Sequence, residues 1–349
     1  MNAVRGLASH FELGAAAAAH VGQSAESLRG VTEVLVCGMG GSAFPGDFLG
    51  LFARPRGVPV NVVRDYEIRD RVLGPHVLAI VSSYSGTTEE TLSCYAQVRA
   101  KGCKVVTVSA GGTLERLALA DGVPHVHFDR PDPNFQPRAA MGYFFGAFTT
   151  ICEHAGLLDG VADTLRALHA QLSALDEDAR AKALAERLWD RIPVVYATGR
   201  LTDTAARVIK IKLNENAKMP AFFNGLPELN HNELVGFTRL TGPFTAVMLR
   251  EPGLPGPMAR RLAVTAEILA EIGVPVEIVD LPVGSEVFQM FAALHLFDLV
   301  SVHIALRAGI DPTPVALVED FKQRLIARCQ KAETRRSDPT QPPVPGPVP

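Results

Sequence analysis

The chain has 349 residues, which is too long for one small hydrophobic core and suits two domains. Its 47% hydrophobic and 20% charged residues are ordinary for a globular protein, and a net charge of −3 argues against nucleic acid as a partner. The five cysteines lack metal-binding or redox spacing and are odd in number, so we expect reduced, buried thiols in a cytoplasmic protein.

The first half of the chain alternates strand-like and helix-like segments. A helical segment over residues 1–30 comes first. Short β-branched runs then predict strands at 31–40, 58–66, 76–86 and 104–111. Amphipathic segments predict helices at 46–54 and 87–102. Strands that alternate with helices indicate βαβ units and a parallel sheet.

The second half repeats this layout. Strands are predicted at 192–200, 244–253 and 274–281, and helices at 201–218 and 257–273. Helical sequence over 144–191 links the halves, and helices at 289–309 and 321–330 follow the second set. The repeat predicts two related, doubly wound α/β domains with parallel sheets flanked by helices.

We place the first domain at residues 1–152 and the second at 153–331. The proline-rich segment 332–349 is predicted to be disordered. No uninterrupted apolar run reaches about 18 residues, so we expect no membrane partner.

A glycine-rich turn follows the first predicted strand. Gly38, Gly40, Gly41 and Ser42 lie where ligands bind in open parallel sheets, beyond the carboxyl ends of the strands. The pattern lacks the third glycine of a dinucleotide-binding loop. A tight strand-to-helix turn and a ligand-binding backbone therefore both remain open at this point.

Hydroxyl side chains are concentrated after the third predicted strand. The segment carries Ser83, Ser85, Thr87 and Thr88 at the start of a helix, which favours an anion. The alternative is helix capping, since Thr87 and Glu90 have the spacing of a capping box. A cap needs one hydroxyl rather than four, so we favour a phosphate site. No lysine follows the glycines as in an ATP-hydrolysing loop.

Two further segments carry groups suited to proton transfer. Residues 213–237 look like a long polar loop, with Glu215 at the end of a helix and His231 further on. A carboxylate and an imidazole are the usual acid and base near neutral pH. Arg138 lies in a proline-rich turn, where it is either a solvated surface charge or a group that stabilises an oxyanion. The other nine histidines have no ligand partner at metal-binding spacing, so we expect no metal site.

These motifs together resemble a known family. GMGGSA, SSYSGTTEET, PRAAMGY, LNENAKMP with PELNHNE, and DPTPV are similar to segments of the bifunctional phosphoglucose/phosphomannose isomerases. That family consists of two sugar-isomerase (SIS) domains, and the resemblance runs from about residue 31 to residue 328. It implies interconversion of glucose or mannose 6-phosphate with fructose 6-phosphate through a cis-enediol, without a cofactor.

The resemblance also implies roles for individual residues. Phosphate and sugar contacts are implied for Ser83, Ser85, Thr87, Thr88, Gly40, Gly41, Ser42 and Thr313. Catalytic roles are implied for four side chains. Glu215 is the base, Arg138 steadies the enediolate, and His231 and Lys322 assist ring opening. In this family the histidine comes from the partner subunit, so a homodimer is implied.

Two other functions remain open from the sequence. SIS domains also serve as non-catalytic sensors of sugar phosphates, although Glu215 and His231 together favour an enzyme. An isomerase or deaminase acting on an amino-sugar phosphate is the third possibility.

Overall fold

Two parallel β-sheets, one from each half of the chain, organise the structure. The computed structural model describes residues 6–130 and 135–336. The strands are β1 Glu33–Cys37, β2 Val60–Val63, β3 Val77–Ser83, β4 Lys104–Ser109, β5 His125–His127, β6 Ile192–Ala197, β7 Phe222–Gly225, β8 Phe244–Arg250 and β9 Val276–Asp280.

The longer helices lie between and after these strands. They are α1 Leu7–Ala18, α2 Phe44–Ala53, α3 Glu89–Ala100, α4 Gly112–Ala120, α5 Met141–His154, α6 Val161–Ser173, α7 Asp178–Leu188, α8 Arg200–Glu215, α9 Gly256–Glu271, α10 Glu286–Arg307 and α11 Ala316–Arg336. Short helical turns cover Ala25–Leu28 and Glu233–Gly236.

The two sheets share one topology. The first has the strand order β2-β1-β3-β4-β5 and the second β7-β6-β8-β9, and every described pairing is parallel. Strand β6 therefore corresponds to β1, and the unit β8-α9-β9 corresponds to β3-α3-β4. This arrangement confirms the predicted α/β class and the internal repeat. All seven residues of β3 are buried, as expected for a parallel strand covered on both faces.

Two elements were missed by the sequence patterns. The segment 213–237 is not one long loop, because it contains the edge strand β7. Phe222 and Phe223 of β7 are exposed, so the strand lacks the alternation that marks a half-buried strand. Helix α4 has only nine residues and was overlooked between β4 and β5.

Helices from both halves of the chain share one core. The Phe291 ring of α10 packs at 4.7 Å from Phe11 of α1, 5.3 Å from Phe48 of α2 and 5.2 Å from Phe145 of α5, measured between ring centroids. Such edge-to-face aromatic contacts add to the free energy gained by burial. The core therefore links the helices that flank both sheets.

Helix α10 covers most of the helix predicted at 289–309. Its 22 residues are long and apolar enough to cross a membrane, but 89% of its most apolar window is buried inside the protein. A core helix of a folded domain has this pattern. Polar residues such as Gln289, His295 and Asp298 interrupt its apolar sequence, so no uninterrupted run reaches about 18 residues.

The chain divides into two compact units at Pro312 and Thr313, and both sheets lie in the first. The predicted boundary at residues 152 and 153 falls in the last turn of α5. In the second unit, α11 extends beyond the predicted 321–330 at both ends. Residues 337–349 of the predicted tail lie outside the described residues. The four described cysteines, Cys37, Cys94, Cys103 and Cys152, are free and buried, as expected.

Candidate active site

The hydroxyl-rich loop lies at the carboxyl end of β3, as the parallel sheet requires. Ser83 ends the strand and is buried, while Ser85 and Thr87 are exposed. The Ser83 hydroxyl lies 2.9 Å from the Thr88 hydroxyl and accepts a 3.1 Å hydrogen bond from Gly86 N. The Thr87 hydroxyl donates to Ser85 Oγ at 3.0 Å. All four hydroxyls therefore lie at one turn before helix α3.

Helix capping does not explain these hydroxyls. The N-cap of α3 is Thr88 rather than Thr87, and its side chain makes no capping hydrogen bond. The Thr88 hydroxyl lies against Ser83 instead. The first N–H groups of α3 are thus left available to an anion, which favours the phosphate interpretation.

The glycine-rich turn packs directly against this loop. Ser42 Oγ accepts a 2.9 Å hydrogen bond from Tyr84 N, so Ser42 supports the backbone of the hydroxyl-rich loop. A Cβ atom added to Gly38 would lie 2.7 Å from Ser82 O, and one added to Gly41 would lie 2.5 Å from Pro137 O. Both distances are too short for a side chain. Glycine is required here because the backbone passes so close to its neighbours.

The Pro137 carbonyl belongs to the 3₁₀ turn that carries Arg138. The Arg138 side chain is only 6% exposed, so it is not a solvated surface charge. Its Nε donates to Asn216 Oδ1 at 2.5 Å, its Nη1 to Glu215 Oε2 at 3.3 Å and its Nη2 to Pro312 O at 2.8 Å. Burial lowers the pKa of Arg138, and the Glu215 carboxylate opposes that shift. Arginine remains cationic even so.

Glu215 is the last residue of α8, as predicted. Its side chain is 36% exposed, in contrast to the buried arginine that it contacts. The carboxylate therefore pairs with Arg138 and remains accessible to a ligand. The structure thus brings the hydroxyl-rich loop, the glycine turn, Arg138 and Glu215 into one connected group.

A buried network behind this group was not singled out by the sequence. Lys212, one turn before Glu215, is 2% exposed and lies 2.7 Å from both Asp298 Oδ1 and the Arg138 carbonyl oxygen. Asn216 donates to Ser301 Oγ at 2.9 Å. The spacing of Lys212, Glu215 and Asn216 along α8 was a usable signal. Their partners on α10 are about 85 residues away in sequence and gave none.

His231 lies apart from this group. It is exposed and ends the 3₁₀ turn Glu228–His231, whose Leu229 is buried, and among the described residues no hydrogen bond joins it to Arg138 or Glu215. Hydrogen bonds within the chain hold the residues on either side of His231. Glu233 accepts from the Tyr196 hydroxyl at 2.6 Å, Asn230 donates to Thr265 Oγ1 at 2.8 Å and Asn232 donates to Glu228 Oε1 at 2.9 Å.

Thr313 and Lys322 belong to the second unit of the chain. Lys322 lies on α11 and pairs with Glu319 at 2.8 Å within that helix. Their implied roles at a sugar site remain predictions.

The second sheet offers a different surface at the corresponding position. A cavity of about 730 Å³ opens there between the two halves of the chain, lined by α2 and β2 of the first half and by Ala197, Gly199 and the start of α8 in the second. Its charges are of both signs, since Arg207 lies 3.2 Å from Asp203. The paired charges and the lack of a serine-rich turn distinguish this edge from that of the first sheet.

Comparison with known proteins agrees with this geometry. Residues 177–325 match the family described as "Bacterial phospho-glucose isomerase C-terminal SIS domain". The bifunctional phosphoglucose/phosphomannose isomerase of Caldicellulosiruptor bescii is 34% identical over 308 residues, covering 84% of this chain and 90% of that protein. The chain belongs to the bifunctional phosphoglucose/phosphomannose isomerase family.

Further comparisons extend this family assignment. The member of the family from Aquifex aeolicus is 31% identical, covering 86% of this chain and 92% of its own length. The C-terminal domain of glucosamine-fructose-6-phosphate aminotransferase from Francisella tularensis superposes with a TM-score of 0.68. It covers 88% of this chain and 96% of that one at 16% identity, which shows a common fold. The family membership and the two-sheet fold predicted from the motifs are confirmed.

Proposed function

We propose that this protein is an aldose–ketose isomerase that interconverts glucose 6-phosphate and mannose 6-phosphate with fructose 6-phosphate. The observation that carries the proposal is the contact between buried Arg138 and half-exposed Glu215, beside a turn with four hydroxyls. The names of the relatives support the same reaction and the same substrates.

Phosphate binding anchors the substrate at the hydroxyl-rich loop. The hydroxyls of Ser83, Ser85, Thr87 and Thr88 and the first N–H groups of α3 would hold the three phosphate oxygens. The backbone at Gly40, Gly41 and Ser42 would contact the sugar. Because the phosphate is remote from C1 and C2, its binding energy serves to orient the reacting carbons.

Glu215 then transfers the proton. Its carboxylate removes the C2 proton of the open-chain aldose and returns it to C1, through a cis-enediol. Glucose and mannose 6-phosphates differ only at C2, so both give the same enediol. One base can therefore serve both substrates.

Arg138 stabilises the charge that forms during this transfer. The enediolate oxygen carries negative charge, and a buried guanidinium held by three partners needs no rearrangement to stabilise it. Removing one such donor typically lowers the rate by about 100-fold to 1000-fold.

Ring opening is assigned to His231 of the partner subunit in a homodimer. Support comes from the exposure of His231 and from the hydrogen bonds that hold the residues on either side of it, Asn230 and Glu233, within their own chain. Lys322 is assigned a supporting role in ring opening, and Thr313 a position at the sugar end. We place the enzyme in the cytoplasm, in line with the four described cysteines, which are free.

A coupled assay for fructose 6-phosphate tests the proposal. Tag-free protein in EDTA is expected to convert both hexose 6-phosphates, and Glu215→Gln to lose at least about 100-fold in kcat. Glu271→Gln, an exposed carboxylate at the end of α9 just as Glu215 ends α8, serves as the control and is expected to retain activity. Tight binding of both sugar phosphates without turnover would instead indicate a sensor, and turnover of glucosamine 6-phosphate alone an amino-sugar enzyme.

A further inference from the structure

Three side chains with metal-binding atoms converge where β5 faces helix α4. Glu115 Oε1 lies 2.9 Å from His127 Nδ1 and 3.6 Å from His125 Nε2. All three ligand atoms lie within 4.8 Å of one another. No carboxylate was expected at metal-binding spacing from these two histidines, but the fold brings Glu115 to both of them. Ten residues separate Glu115 from His125, and the α4–β5 turn closes that gap.

A residue behind His125 orients its ring. His125 Nδ1 lies 2.7 Å from the Thr107 hydroxyl, which itself reaches Pro124 O at 3.5 Å. When the Thr107 hydroxyl donates to Pro124 O it accepts from His125 Nδ1–H, and Nε2, which also lies 3.4 Å from Ser109 Oγ, then carries the lone pair that an ion would bind. His127 Nε2 lies 3.6 Å from Asp129 Oδ1. Metal-binding histidines characteristically have a hydrogen-bond partner on the ring nitrogen that does not bind the metal, and Thr107 supplies one for His125.

The distances suit a small tetrahedral ion. Zinc bound to imidazole nitrogen and carboxylate oxygen at about 2.0–2.2 Å places neighbouring ligand atoms about 3.3 Å apart. The observed separations from Glu115 Oε1 to His127 Nδ1 and to His125 Nε2, 2.9 Å and 3.6 Å, lie on either side of this value. The side chain of His125 is 4% exposed and that of His127 46%, so one ligand is fixed in the interior and the other borders solvent. An incoming ion and a fourth ligand from water both have access.

We propose that Glu115, His125 and His127 form a binding site for a divalent transition-metal ion, with Zn²⁺ as the best fit. Two imidazoles and one carboxylate favour zinc over magnesium or calcium, which prefer sets of oxygen ligands. The bound ion would carry a water molecule as its fourth ligand.

The site would act on stability rather than on the isomerase chemistry. Helix α4 begins beside the hydroxyl-rich loop, where Leu114 N donates to Gly86 O at 2.8 Å. An ion held between Glu115 and β5 would fasten this helix to the edge of the first sheet. Neither Glu215 nor Arg138 contributes to it.

Metal binding is tested on the tag-free, full-length protein after dialysis against EDTA. Titration with Zn²⁺, followed by calorimetry, is expected to give one site per chain and a rise in Tm of at least about 2–4 °C at saturation. Co²⁺ is expected to bind with the intense visible absorption of a tetrahedral site, and Mg²⁺ not to bind.

Variants locate the site. His127→Ala and Glu115→Gln are expected to weaken Zn²⁺ binding by at least about 100-fold, and Thr107→Val by about 10–100-fold. His76→Ala removes an exposed histidine that also pairs with a carboxylate, Glu33, and should bind Zn²⁺ like the wild type. Absence of binding by the wild type, or equal binding by His127→Ala and Glu115→Gln, would overturn the proposal.

Discussion

The Arg138 guanidinium is held by groups from distant parts of the chain. Asn216 and Glu215 come from the end of α8, and the Pro312 carbonyl comes from beyond α10. The sequence predicted the importance of Arg138 and Glu215 from their motifs. It did not predict Lys212 and Asp298, because a buried lysine in an amphipathic helix looks the same as an exposed one until its partner is known.

Lys212→Met should destabilise the protein strongly. The substitution leaves Asp298 as an uncompensated charge in the core and removes the donor to the Arg138 carbonyl. Removing one partner of a buried ion pair typically lowers the free energy of unfolding by about 3–5 kcal/mol. Urea unfolding measures this loss, and Lys182→Met, at an exposed position of α7, is the control. A loss below about 1 kcal/mol would show that the pair is not important for folding.

At the level of secondary-structure elements, the site depends on close contact between turns. The glycine turn lies between the hydroxyl-rich loop and the Arg138 turn, and Gly41 contacts the latter without room for a side chain. The strands and longer helices were predictable because their apolar patterns are strong. The edge strand β7 and the short helix α4 were not predictable. A strand of four residues, two of them exposed, and a helix of nine residues carry too little periodicity.

Gly41→Ala should damage catalysis more than stability. The new methyl group would lie 2.5 Å from Pro137 O and would displace the Arg138 turn. Misplacing a catalytic group by about 1 Å can cost about 100-fold in rate, and kcat measures it. Gly50→Ala in α2, where the nearest atom is 3.7 Å away, is the matched control. Equal activity of the two variants would contradict this view of the turn.

His10 of helix α1 should make the folded protein less stable in acid. His10 is buried against Tyr143, and burial lowers its pKa to about 4 from 6.5. The unfolded chain therefore takes up the proton first, and the free energy of unfolding should fall as the pH drops from about 6.5 to about 4. His10→Phe should reduce this slope in urea unfolding measured across that range. An unchanged slope would mean that His10 is not responsible.

At the level of the whole molecule, the repeated topology gives two similar sheet edges with different surfaces. The first carries the hydroxyl-rich turn, and the second carries the Arg207–Asp203 ion pair. Comparison of strand patterns predicted the repeat. The source of the ring-opening group was implied by the family resemblance, and His231 lies on an exposed turn of its own chain.

Mixed dimers test the donation of His231. Glu215→Gln and His231→Ala should each be nearly inactive as homodimers. Coexpression should restore about a quarter of the wild-type activity. Half of the randomly formed dimers are hybrids, and one of the two sites in each hybrid has both Glu215 and His231. Hybrids without activity would contradict donation of the histidine by the partner subunit.

Exchange of the C2 proton tests the central claim most directly. Glucose 6-phosphate and mannose 6-phosphate are incubated with the enzyme in D₂O and EDTA, and deuterium at C2 is followed by proton NMR. The account predicts exchange and interconversion through fructose 6-phosphate with the wild type, and loss of both with Glu215→Gln. Full exchange by Glu215→Gln, or no exchange by a wild-type protein that binds both sugars, would contradict it.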